Sequence, residues 1–435
     1  MNKTKNNIYF TTLTTLLSVF LCSCSNQIAI RTEENPDKMI HGFTAKGFEP
    51  VTKAFTQNFL DGNEIGAALC IYYKGEKVVD VWGGYRDEEL NEYWQENTMA
   101  LTYSMTKGLA SLCIAKLHSE DLVDYDQKVA NYWPGFAKNG KENITVRQLL
   151  SHQSGLCLWE GSIPVGQLND SLVMIEKLEN AVPLWTPGER NGYSAGMVGA
   201  YIRELVRRLD PQHRTFGTYF QQEIAQPLHG EFYIGLPDSI SSERIAYNKV
   251  LGVWARIGSL FKLPWGMFTT VINPWSLFMK SITQVEGYDV NDRNTWRMEE
   301  PSGNGIGTAH GAALIYSEFS MGGDKLNIRK ETLDELTGQY IKALKGSKDK
   351  VMGVDMYYRN GFIKNGEKNK PFANNKCFGF GGASGSMAFA DPVNKIGYCY
   401  IPNLMGDDFP DSRNENIQNV LYECLTKVQH LKNEE

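Results

Sequence analysis

Ser104 and Lys107, three residues apart, open a run in which Leu109, Leu112, Cys113, Ile114 and Leu117 fall at helical spacing. Residues i and i+3 share a helix face, so Lys107 would present its ammonium to the Ser104 hydroxyl. A serine hydroxyl is a weak nucleophile until a base takes its proton, and a desolvated lysine either is that base or tunes one. The first turn of a helix adds unpaired N–H groups and positive potential, which suit an oxyanion. The chemistry open to this pair is acyl transfer through a covalent ester on Ser104. A solvated helix with a serine cap would show the same spacing, so the surrounding chain has to decide.

The elements that must position the pair come from both ends of the chain. Phe48, Val51, Phe55 and Phe59 recur at helical spacing up to Asp61-Gly62, which predicts an amphipathic helix with a stop. A hairpin follows, with Ala67, Leu69, Ile71 and Tyr73 on one face, a turn at Lys74-Gly75-Glu76 and a return over 77–82. Residues 386–390 and 396–401 flank a turn around Pro392-Val393-Asn394, and Ile417, Val420, Leu421, Cys424, Leu425 and Val428 mark a final helix. The expected organisation is a sheet-containing domain from 24–104 and 300–435, a mainly helical region over 105–299, and an active site between them. Within the insert, 251–279 is rich in Trp, Phe and Leu, but Arg256, Lys262, Pro264 and Pro274 interrupt it. A core segment is the preferred reading there; an apolar lid beside a lipophilic substrate, or a surface near a bilayer, is the alternative.

Ser104-Met105-Thr106-Lys107 resembles the S-x-x-K motif of the serine β-lactamase, penicillin-binding protein and esterase superfamily, in its class C-like esterase branch. The likeness runs from about His41 to the final helix. It is carried further by 121–126 with 129–134 and by Ile144-Thr145-Val146-Arg147-Gln148-Leu149-Leu150-Ser151-His152-Gln153-Ser154-Gly155-Leu156. The resemblance implies an antiparallel sheet flanked by helices with a helical insert, of the β-lactamase/transpeptidase type. It places Tyr193 at the catalytic tyrosine, as base for Ser104 and then acid for the leaving group, and gives His152 a scaffold role. It assigns the N–H groups of Ser104 and Ala383 to the oxyanion hole and Phe380, Gly381 and Gly382 to the substrate-binding strand. Asn304, in the loop 301–309, is expected either to touch substrate or to hold a turn. Two positions depart from the family pattern. Ala195 stands where a carboxamide would help hold Lys107 and a substrate amide, and Phe380 replaces the cation or imidazole that meets a substrate carboxylate. Both departures favour neutral esters over antibiotics.

The chain has 435 residues, 50 acidic against 44 basic side chains and a net charge of −6, with its cations scattered, which disfavours a nucleic-acid partner. Lys3, Lys5 and the uncharged run 8–21 read as a signal peptide over residues 1–23. Leu21-Cys22-Ser23-Cys24 resembles a lipobox, which makes Cys24 the expected lipidation site and a membrane the expected partner of an exported lipoprotein of a bacterial envelope. The other six cysteines have irregular spacing and read as buried thiols, and the seven histidines form no zinc motif.

The sequence therefore points to an exported serine hydrolase that forms an acyl-enzyme, a carboxylesterase on small neutral esters that needs no metal or organic cofactor. A D-Ala-peptidase or weak β-lactamase, and a non-hydrolytic binding relative, stay open beside it. Nothing in the sequence fixes an oligomeric state.

Overall fold

The computed structural model describes residues 39–433, so the leader over 1–23 and Cys24 lie outside the described residues. In chain order the main strands are β1 (Ile40–Thr44), β2 (Gly66–Tyr73), β3 (Glu76–Asp87), β4 (Tyr358–Arg359), β5 (Phe362–Ile363), β6 (Phe378–Gly381), β7 (Met387–Asp391) and β8 (Ile396–Pro402). They form one antiparallel sheet in the order β1-β3-β2-β8-β7-β6-β5-β4, with the short strand Glu92–Tyr93 added beside β3. The seam between the two ends of the chain is β2 against β8, in register from Tyr73 opposite Ile396 to Ala67 opposite Pro402.

The helices that matter to the site are α1 (Glu49–Leu60), α2 (Met105–Ser119), α3 (Met197–Leu209), α4 (Val253–Leu260), α5 (Trp265–Val271), α6 (Leu277–Thr283), α7 (Ala309–Met321) and α8 (Ser412–Asn433). The period of two along β2 divides the core. Ala67, Leu69, Ile71 and Tyr73 pack with Val51 and Phe55 of α1 and with Ile417, Leu421 and Leu425 of α8. Ala68, Cys70 and Tyr72 point to the opposite face, into the cluster that holds the apolar side chains of α2, α3 and α7. With helices on both faces, every residue of β2 is buried, and an antiparallel strand carries the continuous apolar sequence more usual in parallel sheets.

Helix α2 is buried along nearly its whole length, which places its first turn between the sheet and the helical region. A small three-stranded sheet of Ala100–Leu101, Gly305–Gly307 and Phe232–Ile234 ties the two together just before Ser104. All six described cysteines are buried and unpaired, as their spacing suggested.

The apolar segment 251–279 requires correction. Met267, with Leu263, Val271 and Phe278 beside it, packs on the core, but the rest does not: the segment forms α4, α5 and the start of α6, three short helices separated at Pro264 and Pro274, and Phe261, Trp265 and Trp275 are 79%, 77% and 77% exposed. Proline at each break prevents one continuous helix from burying a single face. No described helix is long and apolar enough to cross a membrane.

Candidate active site

The strand Ala100–Leu101 hands the chain to α2 through Tyr103, which adopts φ of 48°. A positive φ is costly for a bulky residue, so the surrounding contacts must hold it there. The turn delivers Ser104 to the N-cap of α2, yet its side chain caps nothing. The Ser104 Oγ instead lies 2.6 Å from Tyr193 Oη and accepts a hydrogen bond from Lys107 Nζ at 3.2 Å. That separates the nucleophile from an ordinary serine cap, which would spend its oxygen on the first-turn amides.

Lys107 is 1% exposed, and its ammonium is held by backbone. It donates to the carbonyls of Ala195 at 2.8 Å and Ser302 at 2.7 Å, and it lies 5.0 Å from the centre of the Tyr193 ring. The Ala195 side chain offers no carboxamide, but its backbone carbonyl takes over the task of holding the lysine. Ser302 is fixed in turn by accepting from Gly199 N at 2.7 Å and donating to the Gly196 carbonyl at 2.6 Å.

Tyr193 is set by residues far apart in sequence. Its amide donates to the buried Asp349 carboxylate at 3.1 Å, and the next amide, of Ser194, donates to His152 Nδ1 at 3.1 Å. His152 follows a short helix, Val146–Leu150, closed at its start by a reciprocal capping box between Thr145 and Gln148. Its ring packs on Tyr193 and Tyr358. Burial, reinforced by the Lys107 charge, lowers its pKa to about 3, so the imidazole stays neutral and accepts through Nδ1. Its place is behind the tyrosine. Burial likewise raises the Asp349 pKa, against the amide hydrogen bonds that favour its charged form. Asp349, Ser302 and the strained Tyr103 had no visible signal in the sequence, because their roles rest on backbone groups brought together by the fold.

On the opposite wall, the Phe380 ring packs roughly parallel to Tyr193, with ring centres 6.4 Å apart, and lies 6.0 Å from the Lys107 ammonium. Gly382 follows at the end of β6, where a Cβ would stand 2.2 Å from the Thr102 carbonyl and 2.3 Å from Ser386 Oγ. Only glycine permits that approach. Ser386 Oγ donates to the same Thr102 carbonyl at 2.9 Å, which joins the Gly381-Gly382-Ala383 turn to the Ser104 segment. Ser104, Tyr193, Phe380, Gly381, Gly382 and Ala383 all line one cleft of about 2140 Å³.

Asn304 does not reach that cleft. It is fully buried, and its Nδ2 donates to the carbonyls of Thr295 at 2.8 Å and Met298 at 2.6 Å. The expected substrate contact is corrected to a turn-holding role: the carbonyls at the end of the 293–298 segment point inward and need a donor. Away from the cleft, Cys70, Asp80 and His310 bring possible ligand atoms within 4.8 Å of one another. Lys77 already donates to Asp80 at 2.6 Å, and Tyr72 Oη lies 3.2 Å from His310 Nε2, so Asp80 and His310 are satisfied as a hydrogen-bonded cluster.

The Beta-lactamase family model matches residues 51–422. The chain is 28% identical over 391 residues to the Esterase/beta-lactamase LipL of Mycobacterium tuberculosis, covering 87% of this chain and 86% of that protein. A family VIII carboxylesterase structure superposes with a TM-score of 0.76 at 32% identity, over 88% of this chain and 99% of that one. A penicillin-binding protein homologue from Caulobacter crescentus gives a TM-score of 0.75 at 30% identity, again over 88% and 99%.

Proposed function

The chain belongs to the Beta-lactamase family and is a serine hydrolase, and from that premise we propose that it cleaves neutral carboxylic esters through an acyl-enzyme on Ser104. The observation that carries this reading is the Ser104 hydroxyl, which is withheld from its own helix and hydrogen-bonded to both Tyr193 and Lys107. Tyr193 Oη takes the Ser104 proton along the 2.6 Å contact while Oγ attacks the ester carbonyl carbon. Lys107 Nζ, donating to Oγ at 3.2 Å, offsets the charge that develops on the nucleophile. The tetrahedral oxyanion is received by the N–H groups of Ser104 and Ala383. Tyr193 then returns the proton to the departing alkoxide, and a water molecule, activated the same way, releases the acid and restores Ser104.

The choice of a neutral ester rests on the cleft wall. A hydrocarbon ring at Phe380 and a methyl group at Ala195 give a substrate carboxylate no cation and a substrate amide no side-chain partner. Export as a lipoprotein acylated at Cys24 belongs to the same reading, supported by Leu21-Cys22-Ser23-Cys24 at the end of an apolar run.

A fluorophosphonate probe should label Ser104, and Ser104→Ala should abolish hydrolysis of a short p-nitrophenyl ester. A folded protein that takes no label would overturn the enzyme in favour of a binding relative. Faster turnover of a D-Ala peptide or a chromogenic cephalosporin than of any ester in a panel would overturn the ester assignment.

A further inference from the structure

The three helices over 253–283 have two unlike faces. Leu260, Leu263, Met267, Val271 and Phe278 face inward and line the cleft that contains Ser104. Phe261, Trp265, Ile272 and Trp275 line none of it, and each is at least half exposed. A helical segment that only closed a pocket would bury its aromatic residues inward and leave polar ones outside. Here the outer side carries two tryptophans and a phenylalanine, with Trp265 stacked on Phe268 at 5.5 Å. Exposed apolar surface of this kind marks an interaction site.

The charge pattern selects the partner. Residues 251–285 contain Arg256, Lys262 and Lys280 and no Asp or Glu, in a chain with 50 acidic against 44 basic residues. Of these, Lys262 is paired with Asp407 at the rim. Exposed tryptophan, phenylalanine and isoleucine in a segment whose own charged residues are all cationic is the chemistry of a surface that settles into the headgroup boundary of an anionic bilayer. The chain length outside the structure is compatible: Cys24 precedes Met39 by 15 residues, a reach of up to about 50 Å when extended.

We propose that the outer face of the 253–283 segment, through Phe261, Trp265, Ile272 and Trp275, is a docking surface for an anionic phospholipid bilayer. Docking there sets the mouth of the cleft against the membrane, with the inner apolar wall leading from the bilayer to Ser104. The site class this adds to the proposed reaction is an ester carrying a long acyl chain or apolar alcohol, presented at an interface. The docking itself does not depend on the ester reading, because none of the four outer residues touches the Ser104 cluster.

The test uses the full chain on vesicles of phosphatidylcholine with phosphatidylglycerol, doped with a phospholipid carrying a photoreactive diazirine in its acyl chain. Crosslinks are mapped by peptide mass spectrometry. The expected result is adducts on peptides within 257–282, falling about tenfold in Phe261→Ser/Trp265→Ser/Trp275→Ser and on vesicles of phosphatidylcholine alone. The triple variant should hydrolyse a short soluble ester at the wild-type rate, since its changes lie outside the cleft. Adducts confined to residues 1–38, or adducts on 257–282 that the substitutions leave unchanged, would overturn the proposal. Self-association without vesicles that the same substitutions abolish would also overturn it, assigning the face to a second copy of the chain. Ser104→Ala should retain the adducts, so a failed ester reading and a failed docking surface give different results.

Discussion

The Ser104 hydroxyl could have closed the first turn of its helix, and the fold does not let it. Tyr193 Oη at 2.6 Å and Lys107 Nζ at 3.2 Å claim the oxygen instead. Tyr193→Phe keeps the ring packed against His152 and Phe380 and removes only the oxygen. It should lower kcat by roughly 10²- to 10⁴-fold with KM nearly unchanged, the loss expected for a positioned general base. Steady-state kinetics on a p-nitrophenyl ester check this. Asn304 gives the opposite signature. Its amide satisfies inward-facing carbonyls of Thr295 and Met298, so Asn304→Ala should cost about 1–3 kcal/mol in denaturant unfolding while KM stays the same. A rise in KM without loss of stability would return Asn304 to the substrate.

At the scale of elements, the turn after β6 depends on α8. Arg413, in the first turns of α8, donates to the Ser384 carbonyl at 2.6 Å and pairs with Asp411 at 2.6 Å and with the buried Glu64 at 3.2 Å. The turn that carries Ala383 is therefore fastened to the final helix by one buried guanidinium. Removing the guanidinium leaves Asp411 without its partner and takes a hydrogen bond from Glu64, whose carboxyl pKa is raised by burial to about 8. Arg413→Met should destabilise the protein by about 3–5 kcal/mol. It should also lower kcat more than it raises KM, since the Ala383 N–H loses its anchor. Thermal unfolding with kinetics at a temperature where the variant is folded separates the two effects.

At the scale of the whole molecule, one buried imidazole links the site to acid stability. His152, normally near 6.5, is held down to about 3 when folded. Between those values the unfolded chain binds a proton that the folded chain refuses. The contribution to stability is complete above about pH 6.5 and is lost as pH falls towards 3. The full loss, reached near pH 3, is on the order of 5 kcal/mol. Urea unfolding at pH 7 and pH 4 should show wild type losing more stability than His152→Asn, a residue that tolerates the positive φ at this position. Equal losses in the two proteins would remove His152 as the cause.

What the sequence determined by itself was local or periodic. The S-x-x-K spacing set Ser104 and Lys107 on one helix face, period two along β2 and period 3.6 along α1 and α8 gave the layers, and the glycines after Phe380 marked a close backbone approach. Each is a property of a few neighbouring residues, and steric rules act at that range. The tertiary structure decided what depends on groups far apart in the chain. The carbonyls of Ala195 and Ser302 replace a missing carboxamide in holding Lys107, and Asp349 fixes the backbone of Tyr193 from 156 residues away. Main-chain donors and acceptors are the same at every residue, so no side-chain pattern announces which of them will meet. The 253–283 segment makes the same point in the other direction: its composition suggested core, but prolines that break it into three helices leave one apolar face on the cleft and the other in solvent. Burial is decided by what else the fold places beside a segment, and hydrophobicity alone does not carry that information.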